Sequence, residues 1–210
     1  MKEYHKIQTV FKRDPVTNHR TLLMGEYSLP EFEYLKDNEW IFTEKVDGTN
    51  IRVMWNHEER ELNFGGKTDN AQIPAFLVNR LREMLLPEYF EPLFDSSVCL
   101  YGEGYGAKIQ KGGGNYRKDQ SFVLFDAKVG DWWLKREDVS DIAAKLGIDI
   151  VPVIGTGTLA DMIAKVQIGF PSTWGPFDAE GIVARPVIEL QTRSGQRIIT
   201  KIKHKDFKGK

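Results

Sequence analysis

The sequence predicts an α+β fold in which antiparallel β-sheets are flanked by a few helices. Short apolar or alternating runs, which are typical of strands, recur along the whole chain of 210 residues. Segments with the apolar spacing of an amphipathic helix are fewer, and turn residues separate most of the runs. The 41% hydrophobic content is sufficient for a sizeable core, and we expect a single domain over residues 1–210.

The N-terminal third is predicted to hold short strands and one short helix. Ser28 is expected to cap that helix, because a proline follows it early and helices accept proline in their first turn. An apolar run leads directly up to Lys45, and an alternating run follows a turn just after it. Strands are predicted at 7–11, 40–43, 51–55 and 60–64, the last two forming a hairpin.

The rest of the chain alternates between longer helices and buried strands. Apolar residues spaced three and four apart predict helices over 75–86, 136–146 and 158–168. Pro87 and Gly147 end the first two, and Thr158 caps the third. Short apolar or alternating runs predict strands at 98–101, 121–126, 150–154, 181–184 and 196–203.

Charge and cysteine content exclude several classes of protein. The 29 basic and 30 acidic residues give a net charge of -1, which excludes a strongly basic binder while leaving room for a local basic surface. Cys99 is the one cysteine and lies in an apolar run, so a small buried hydrophobe is favoured over a catalytic thiol. With no apolar signal region and no membrane-length run, we expect a cytoplasmic protein without a membrane partner.

Charged side chains stand at strand ends, or on one strand face, in several separate stretches. Lysines bind phosphates as point charges, carboxylates hold magnesium, and glycines let the backbone approach a ligand closely. If the stretches converge on one cleft, they suit a nucleoside triphosphate and a divalent metal. The four stretches are KVDG at 45–48, YGEGYG at 101–106, DAEGIV at 178–183 and KIK at 201–203.

The chemistry expected of Lys45 is nucleophilic attack. A lysine is mostly protonated at neutral pH and must lose a proton before it can attack. Neighbouring cations, such as Lys201, Lys203 or a metal, and partial burial would favour the neutral amine. Attack on an α-phosphorus would form a lysyl phosphoramidate and release pyrophosphate, with positioning and charge neutralisation supplying most of the rate.

The order and wording of these stretches resemble the covalent nucleotidyltransferase superfamily of ATP-dependent RNA and DNA ligases and mRNA capping enzymes. The hallmark Lys-x-Asp-Gly is matched by EKVDGTN at 44–50, in the form that RNA ligases use. A single tetrapeptide is weak evidence, but five matches in the expected order are strong. The resemblance implies a nucleotidyltransferase (ATP-grasp-like) ligase catalytic domain. The later matches are YGE at 101–103, FVLFD at 122–126, EGIV at 180–183 and KIK at 201–203.

The resemblance implies roles for the residues that would handle the phosphates. Lys45 would be the nucleophile that carries AMP, and ATP the nucleotide. Glu180 would bind the catalytic metal, Mg²⁺ or Mn²⁺. Lys201 and Lys203 would contact the α-phosphate, with Lys201 also orienting the departing pyrophosphate.

It also implies which residues would bind the nucleoside. Glu103 would hold the ribose, and Glu44 would offer its backbone or carboxylate to the adenine edge. Phe125 would stack on the base, with Phe122 as the alternative. Lys67 lies where the family has a motif that usually carries an arginine, so it is expected to contact a phosphate or the 5′ end.

One departure from the superfamily pattern favours RNA over DNA as the substrate. DNA ligases and capping enzymes usually place arginine two residues after Gly48, whereas this chain has Asn50, as RNA ligases do. We therefore expect an RNA ligase that joins 5′-phosphate and 3′-hydroxyl ends. The resemblance implies that Asn50 is also one of the residues that bind the nucleotide. The family normally continues into a further domain, so a second chain or a missing domain is expected to help recognise the ends.

Alternatives stay open. Within the superfamily, a minimal ATP-dependent DNA ligase shares the motifs, and a non-catalytic nucleotide- or RNA-binding module could keep the fold without turnover. Taken alone, each charged residue is more simply a surface group, and Phe125 a core residue. GGGNYRK at 112–118 lacks the spacing of a P-loop and is read as a flexible surface loop that could contact RNA, and Trp132-Trp133 as a packing element. Basic residues expected along the RNA are Lys67, Lys108, Lys111, Arg117 and Lys118.

Overall fold

The computed structural model describes residues 3–207, which divide into two compact units. The first unit comprises Asp47–Val151 together with residues 3–5, and the second comprises Lys6–Val46 together with residues 152–207. Each unit has its own sheet and its own buried core. The single catalytic domain over residues 1–210 stays a prediction.

Strands outnumber helices in the described residues, as the sequence predicts. The helices are α1 (Pro30–Tyr34), α2 (Ala75–Met84), α3 (Pro87–Phe90), α4 (Gly113–Tyr116), α5 (Arg136–Leu146) and α6 (Leu159–Ile168). The strands are β1 (Gln8–Thr9), β2 (Phe11–Arg13), β3 (Leu22–Tyr27), β4 (Trp40–Glu44), β5 (Thr49–Asn56), β6 (Glu61–Gly65), β7 (Val98–Gly106), β8 (Gln120–Val129), β9 (Trp132–Trp133), β10 (Asp149–Ile150), β11 (Val153–Gly157), β12 (Gly181–Pro186) and β13 (Thr200–Lys203).

The first unit is built on a six-stranded sheet in the order β10-β8-β7-β5-β6, with β9 paired to β8. All pairs are antiparallel except β10 with β8, and β5 and β6 form the predicted hairpin. One sheet face is apolar and packs with buried residues of α2 and α5, since strand side chains alternate between faces. Members of this core include Ile51, Val53, Leu100, Leu124 and Leu81.

The second unit is built on a five-stranded sheet in the order β1-β13-β12-β4-β11, and β2 and β3 form a separate antiparallel pair. β1 runs parallel to β13, and the other neighbours in the sheet are antiparallel. Fully buried side chains of the strands, such as Trp40, Ile182 and Ile202, pack with α6 residues such as Met162. The predicted α+β class with antiparallel sheets and few helices is confirmed.

The predicted helix boundaries are largely confirmed, because local signals set them. α5 ends at Gly147, which adopts a left-handed conformation with φ of 64° that glycine tolerates. Thr158 caps α6 in a capping box with Asp161. Pro87, predicted to end α2, begins the short helix α3. The prediction that Ser28 caps α1 is wrong: its hydroxyl instead donates to the Thr9 carbonyl, and Leu29 holds the cap position.

Several predicted strands have different bounds. The single strand predicted over 150–154 is wrong, because Val151-Pro152 separates β10 from β11, which belong to different sheets. The run 7–11 divides at Val10 into β1 and β2, and the run 196–203 becomes a strand only from Thr200. Pro152 has no backbone N–H to donate, which favours a break in the first of these runs. In the other two, the strand ends depend on pairing with strands from other parts of the chain.

Cys99 and Trp133 have the packing roles that the sequence favours, whereas the same prediction for Trp132 is wrong. Cys99 is buried, and this burial raises the pKa of its thiol, which disfavours the reactive thiolate. Trp133 packs against Tyr4 and Tyr101, with ring centroids 5.7 and 5.2 Å apart, whereas Trp132 is exposed. The longest helix in residues 3–207, α5, has 11 residues, and none of the helices there has the length and apolar character to cross a bilayer.

The packing of β7 against β8 can be tested at Gly102. A Cβ at this position would lie 2.3 Å from the Phe122 ring and 2.4 Å from the Val123 carbonyl oxygen. We therefore expect Gly102→Ala to lower the free energy of unfolding by at least about 2 kcal/mol, measured by urea denaturation. Gly114→Ala is the matched control, since a Cβ there meets no atom within 4 Å and should leave stability unchanged. Equal stability of the two variants would contradict this packing.

Candidate active site

In the second unit, one carboxylate lies between two lysine amines. Nζ of Lys45 is 2.6 Å from Oε2 of Glu180, and Nζ of Lys203 is 2.6 Å from Oε1. All three side chains are mostly buried. This triad, called the Lys-Glu-Lys cluster below, joins residues from the ends of β4 and β13 and from the start of β12.

The sheet places these three side chains through backbone contacts. The Lys45 amide donates to the Gly181 carbonyl at 2.9 Å, and the His204 amide donates to the Glu180 carbonyl at 2.9 Å. A Cβ at Gly181 would lie 2.1 Å from the Ile202 carbonyl oxygen, so only glycine allows β12 and β13 to approach this closely. The glycine of the EGIV motif is therefore required to bring Glu180 beside the lysines.

The cluster has one negative and two positive side chains, so Glu180 is ionised between two cations at neutral pH. Burial alone would raise the pKa of Glu180, but the charges of Lys45 and Lys203 and their hydrogen bonds outweigh it, and the pKa lies below its ordinary value. Glu180 is therefore a carboxylate throughout the neutral range.

The Lys45 amine contacts acceptor oxygens. Its contacts include the Glu180 carboxylate and, at 3.4 Å, the Val46 carbonyl oxygen, while Lys203, one of the cations expected near it, contacts the other oxygen of Glu180. An adjacent carboxylate favours the protonated form of a lysine. The amine is therefore held as an ammonium in this arrangement and must be released before it can attack.

Lys201 and Lys203 share a strand face, as predicted. Thr200 and Ile202, which alternate with them along β13, are fully buried, while both lysines are partly exposed. Lys201 pairs in register with Val183, and Lys203 pairs with Gly181. The KIK motif therefore presents two cations on the side of the sheet opposite the apolar core.

Glu44 is buried, and its carboxylate binds to the backbone and side chains of a distant segment. The hydroxyl of Ser172 donates to Oε1, and the amide and hydroxyl of Thr173 donate to Oε2 at 2.9 and 2.7 Å. The carboxylate thus anchors the segment 172–173. The predicted contact with the adenine edge stays a prediction, and these bonds favour the backbone of Glu44 as its source.

In the first unit, Asn50 and Glu103 face each other across neighbouring strands. They are register partners in the β5–β7 pair, so their side chains lie on the same face of the sheet. The Asn50 side-chain oxygen is buried and has no hydrogen-bond partner among the described residues. Buried polar atoms are normally bonded, so this oxygen is suited to bind a ligand group, as predicted for Asn50.

The loop that follows the lysine motif is fixed within the first unit. A Cβ at Gly48 would lie 2.3 Å from the Gly104 carbonyl oxygen and 2.7 Å from Cγ of Glu103. Gln110 donates to the Gly48 carbonyl at 3.0 Å, and Tyr116 accepts from the Asp47 amide at 3.2 Å. The segment 112–118, predicted to be a flexible surface loop, contains the short helix α4. Its Tyr116 and the preceding Gln110 hold the DG turn in place.

The two aromatic candidates on β8 differ in burial. Phe122, the alternative, is fully buried in the core of the first unit, beside Gly102. Phe125 is half-buried and lies at a bulge of the β7–β8 pair, with its ring centroid 5.0 Å from that of Tyr4. Phe125 is therefore better placed than Phe122 to stack on a base, although the stacking itself stays a prediction.

Lys67 is exposed on a loop that a buried arginine supports. Nε of Arg52 donates to the Gly66 carbonyl at 2.8 Å, and its Nη2 is 2.7 Å from the Asp69 carboxylate. No role for Arg52 follows from the motifs. Its place within the alternating run IRVMW was the sequence feature that could have indicated a structural role, because an arginine buried in a strand requires partners.

The structure thus assembles the predicted residues in two groups. Lys45, Glu180, Lys201 and Lys203 are together in the second unit, and Asn50 and Glu103 are together in the first. That both groups serve one cleft stays a prediction. Among residues 3–207 there is no group of three or more His, Cys, Asp or Glu side chains that could hold a metal ion. The metal role of Glu180 stays a prediction.

Comparison with known proteins shows the family to which this chain belongs. A family model described as RNA ligase matches residues 38–203, and the chain therefore belongs to the RNA ligase family. A search of curated proteins found no match.

Solved structures of the Naegleria gruberi RNA ligase share the fold. A mutant with ATP and Mn matches with a TM-score of 0.69 at 18% identity, covering 97% of this chain and 56% of that one. An apo mutant matches with a TM-score of 0.67 at 18% identity, covering 99% and 58%. The ligase with PPi matches with a TM-score of 0.66 at 20% identity, covering 97% and 58%. This chain therefore spans somewhat more than half the length of these ligases.

The ion pairs between Glu180 and the two lysines predict how the stability of the protein depends on pH. The lowered pKa of Glu180 contributes stability that is fully present above its ordinary value of 4.5 and is lost as pH falls through the lower folded-state value. Glu180→Gln should be less stable than wild type by about 1–3 kcal/mol at neutral pH, and the difference should shrink in acid. Urea unfolding across this pH range measures it.

Glu26→Gln is the control for this experiment, because Glu26 pairs with Lys12 at 3.5 Å through side chains that are more than half exposed. Its effect should be small at every pH, since exposed pairs contribute little. A Glu180→Gln difference that stays constant from neutral pH down to acid would show that the carboxylate is not held by the lysines.

Proposed function

We propose that this chain is the catalytic part of an ATP-dependent RNA ligase that forms a covalent lysyl-AMP intermediate. The observation that carries the proposal is the Lys-Glu-Lys cluster, in which Lys45 is held by Glu180 beside Lys203 in a chain of the RNA ligase family. A lysine of purely surface character needs neither burial nor a carboxylate shared with a second lysine.

In the first step, Nζ of Lys45 attacks the α-phosphorus of ATP. The Lys45 ammonium first loses one proton to solvent. An N–P bond then forms, the P–O bond to pyrophosphate breaks, and the nitrogen gives up a second proton to solvent. Because Glu180 remains a carboxylate, it positions the amine and keeps neither proton. Lys201 and Lys203 would balance charge on the α-phosphate and the departing pyrophosphate, which is the main task in phosphoryl transfer.

A divalent metal, Mg²⁺ or Mn²⁺, fits the carboxylate chemistry at Glu180, and when bound it would neutralise phosphate charge as a Lewis acid. The Glu180 carboxylate would then interact with the metal as well as with the lysines. Its attraction for the Lys45 ammonium would be weaker as a result. The solved Naegleria gruberi ligases that contain ATP or AMP with Mn support nucleotide and metal use.

The nucleoside would be bound by residues of the first unit. Glu103 would accept hydrogen bonds from the ribose hydroxyls, and Phe125 would stack on adenine. The side-chain oxygen of Asn50, buried without a partner among residues 3–207, would accept a bond from the nucleotide. The backbone of Glu44 would contact the adenine edge, and Lys67, on its supported loop, would contact a phosphate or the 5′ end.

In the second and third steps, AMP passes from Lys45 to an RNA 5′-phosphate, and the 3′-hydroxyl of a second end then displaces AMP. The second step forms a P–O–P linkage and breaks the N–P bond. The third forms a phosphodiester and releases AMP. The substrate is thus RNA with 5′-phosphate and 3′-hydroxyl ends.

The lysyl-AMP intermediate can be detected directly. Wild-type protein incubated with ATP and a divalent metal should gain the mass of AMP in intact-protein mass spectrometry, and pyrophosphate should remove it. Lys45→Ala should gain nothing, and Glu180→Ala should gain AMP at least about 100-fold more slowly, because it loses the metal contact and the positioning of the amine. Lys36→Ala, which removes an exposed lysine of the same unit, should react like wild type.

An unmodified wild-type protein would favour a non-catalytic binding module. Adenylation of Lys45→Ala would place the nucleophile elsewhere, and normal adenylation of Glu180→Ala would refute the metal assignment.

The RNA preference is tested at a nick. Two duplexes with the same 5′-phosphate strand are compared, one with an RNA and one with a DNA 3′-hydroxyl strand. Family membership and Asn50 lead us to expect faster sealing of the RNA end. Equal or faster sealing of the DNA end would favour the minimal DNA ligase instead.

A further inference from the structure

A groove of about 960 Å³ lies in the second unit and is lined mainly by basic side chains. Of its lining residues, only the two lysines of the KIK motif belong to a motif identified in the sequence. One wall is the β2–β3 ribbon with its turn, and the other is formed by β1, β13 and the turn that follows. The basic lining residues are Lys6, Lys12, Arg13, His19, Arg20, Lys201, Lys203 and Lys205.

The positive charge of this groove is compensated in part. Asp206, the one acidic lining residue among residues 3–207, is 2.9 Å from Arg13 and accepts the Lys203 amide at 3.2 Å. Lys203 and Lys12 also pair with acids outside the lining, Glu180 at 2.6 Å and Glu26 at 3.5 Å. Lys6, Arg20 and Lys205 are exposed and form no ion pair with any residue in 3–207. Pockets for small ligands are mostly apolar, whereas an exposed groove with excess cations is suited to a polyanion.

The groove continues into the Lys-Glu-Lys cluster. Lys203 lines the groove and also contacts Glu180, which in turn contacts Lys45. An anion bound along the groove would therefore have one end beside the proposed nucleophile. This continuity distinguishes the groove from a surface that is simply basic.

We propose that the groove binds the sugar-phosphate backbone of the RNA strand that bears the 5′-phosphate and guides that phosphate to the AMP on Lys45. The proposal rests on the proposed function. It differs from the RNA path expected from the sequence, which runs along first-unit residues such as Lys108, Lys111 and Arg117. In the structure Arg117 is already paired with Asp119 at 2.6 Å.

The lining predicts the kind of recognition. Lysine and arginine contact phosphates without reading bases, so binding should depend weakly on sequence and strongly on salt. Arg13 and the ribbon turn add a rigid wall: Asn18 and His19 adopt left-handed backbone conformations, and Asp14 accepts the Val16 amide at 2.9 Å. A rigid wall holds the cations in position and reduces the entropy lost on binding.

The test compares two triple variants of the full chain. One is Lys6→Ala, Arg20→Ala and Lys205→Ala in the groove; the other is Lys108→Ala, Lys111→Ala and Lys118→Ala on the first unit. Both remove three positive charges. The probe is a short single-stranded RNA with a 5′-phosphate, titrated at several salt concentrations.

We expect the groove variant to bind this RNA about tenfold or more weakly and to reduce the salt slope, d log K/d log[salt], by about 2, because about three phosphate contacts are lost. The first-unit variant should retain most of the affinity and the slope. Lys6→Arg, Arg20→Lys and Lys205→Arg together preserve charge and should bind like wild type. The reverse pattern, or equal affinity of the groove variant and wild type, would overturn the proposal.

AMP-adduct formation by the same variants separates this proposal from the proposed function. RNA takes no part in that step, so the groove variant should lose far more in RNA binding, and in AMP transfer to the 5′-phosphate, than in adduct formation. Equal losses would mean that the groove serves the triphosphate of ATP, which would overturn the RNA assignment. A wild-type protein that forms no adduct would refute the ligase chemistry, while the RNA titration would still decide the groove.

Discussion

The second unit's site depends on one carboxylate that holds two ammonium groups. Lys45 and Lys203 would repel each other if Glu180 did not lie between them, and a mostly buried cation without a partner is costly. The same contact that positions Lys45 also keeps it protonated. Positioning and reactivity are therefore opposed in this arrangement, and the proposed chemistry requires a ligand that competes for Glu180.

Backbone contacts fix the motif that carries Lys45 from both sides. Before it, the Glu44 amide donates to the Pro152 carbonyl at 3.0 Å, and the Glu44 carboxylate anchors Ser172 and Thr173. After it, Gln110 and Tyr116 hold the DG turn. The division between the two compact units falls between Val46 and Asp47, so each half of this short motif is stabilised by its own unit. The turn residues of the motif are thus held by contacts of their own.

The sequence predicts what is encoded locally and misses what distant partners decide. The capping box of Thr158, the left-handed Gly147 and the shared face of Lys201 and Lys203 are local, and the structure agrees with them. By contrast, the interruption at Val151-Pro152 depends on which sheets the flanking strands join. The motifs identified Lys45 and Glu180 as functional candidates but gave no indication that they are in contact.

Two further features lay beyond the sequence because charge alone does not reveal burial. The sequence pattern places Arg52 at an ordinary polar position of an alternating strand. Only the structure shows that Arg52 is buried and donates to the Gly66 carbonyl. The motif predicts that Glu44 contacts the ligand, whereas its carboxylate accepts hydrogen bonds from a segment more than a hundred residues away. In both cases the partner is a loop, and loops leave no periodic signal in a sequence.

The basic groove results from topology and not from composition. A net charge of -1 and the lack of any long basic run gave no sign of it. Its cations come from residues 6–20 and 201–205, near opposite ends of the described chain. They meet because β1 runs parallel to β13, pairing Gln8 with Thr200 and Thr9 with Lys201. Parallel neighbours require a long connection, here nearly the whole chain, so the surface forms only in the completed fold. Loss of the β1–β13 pair would therefore remove the groove while leaving every sequence motif intact.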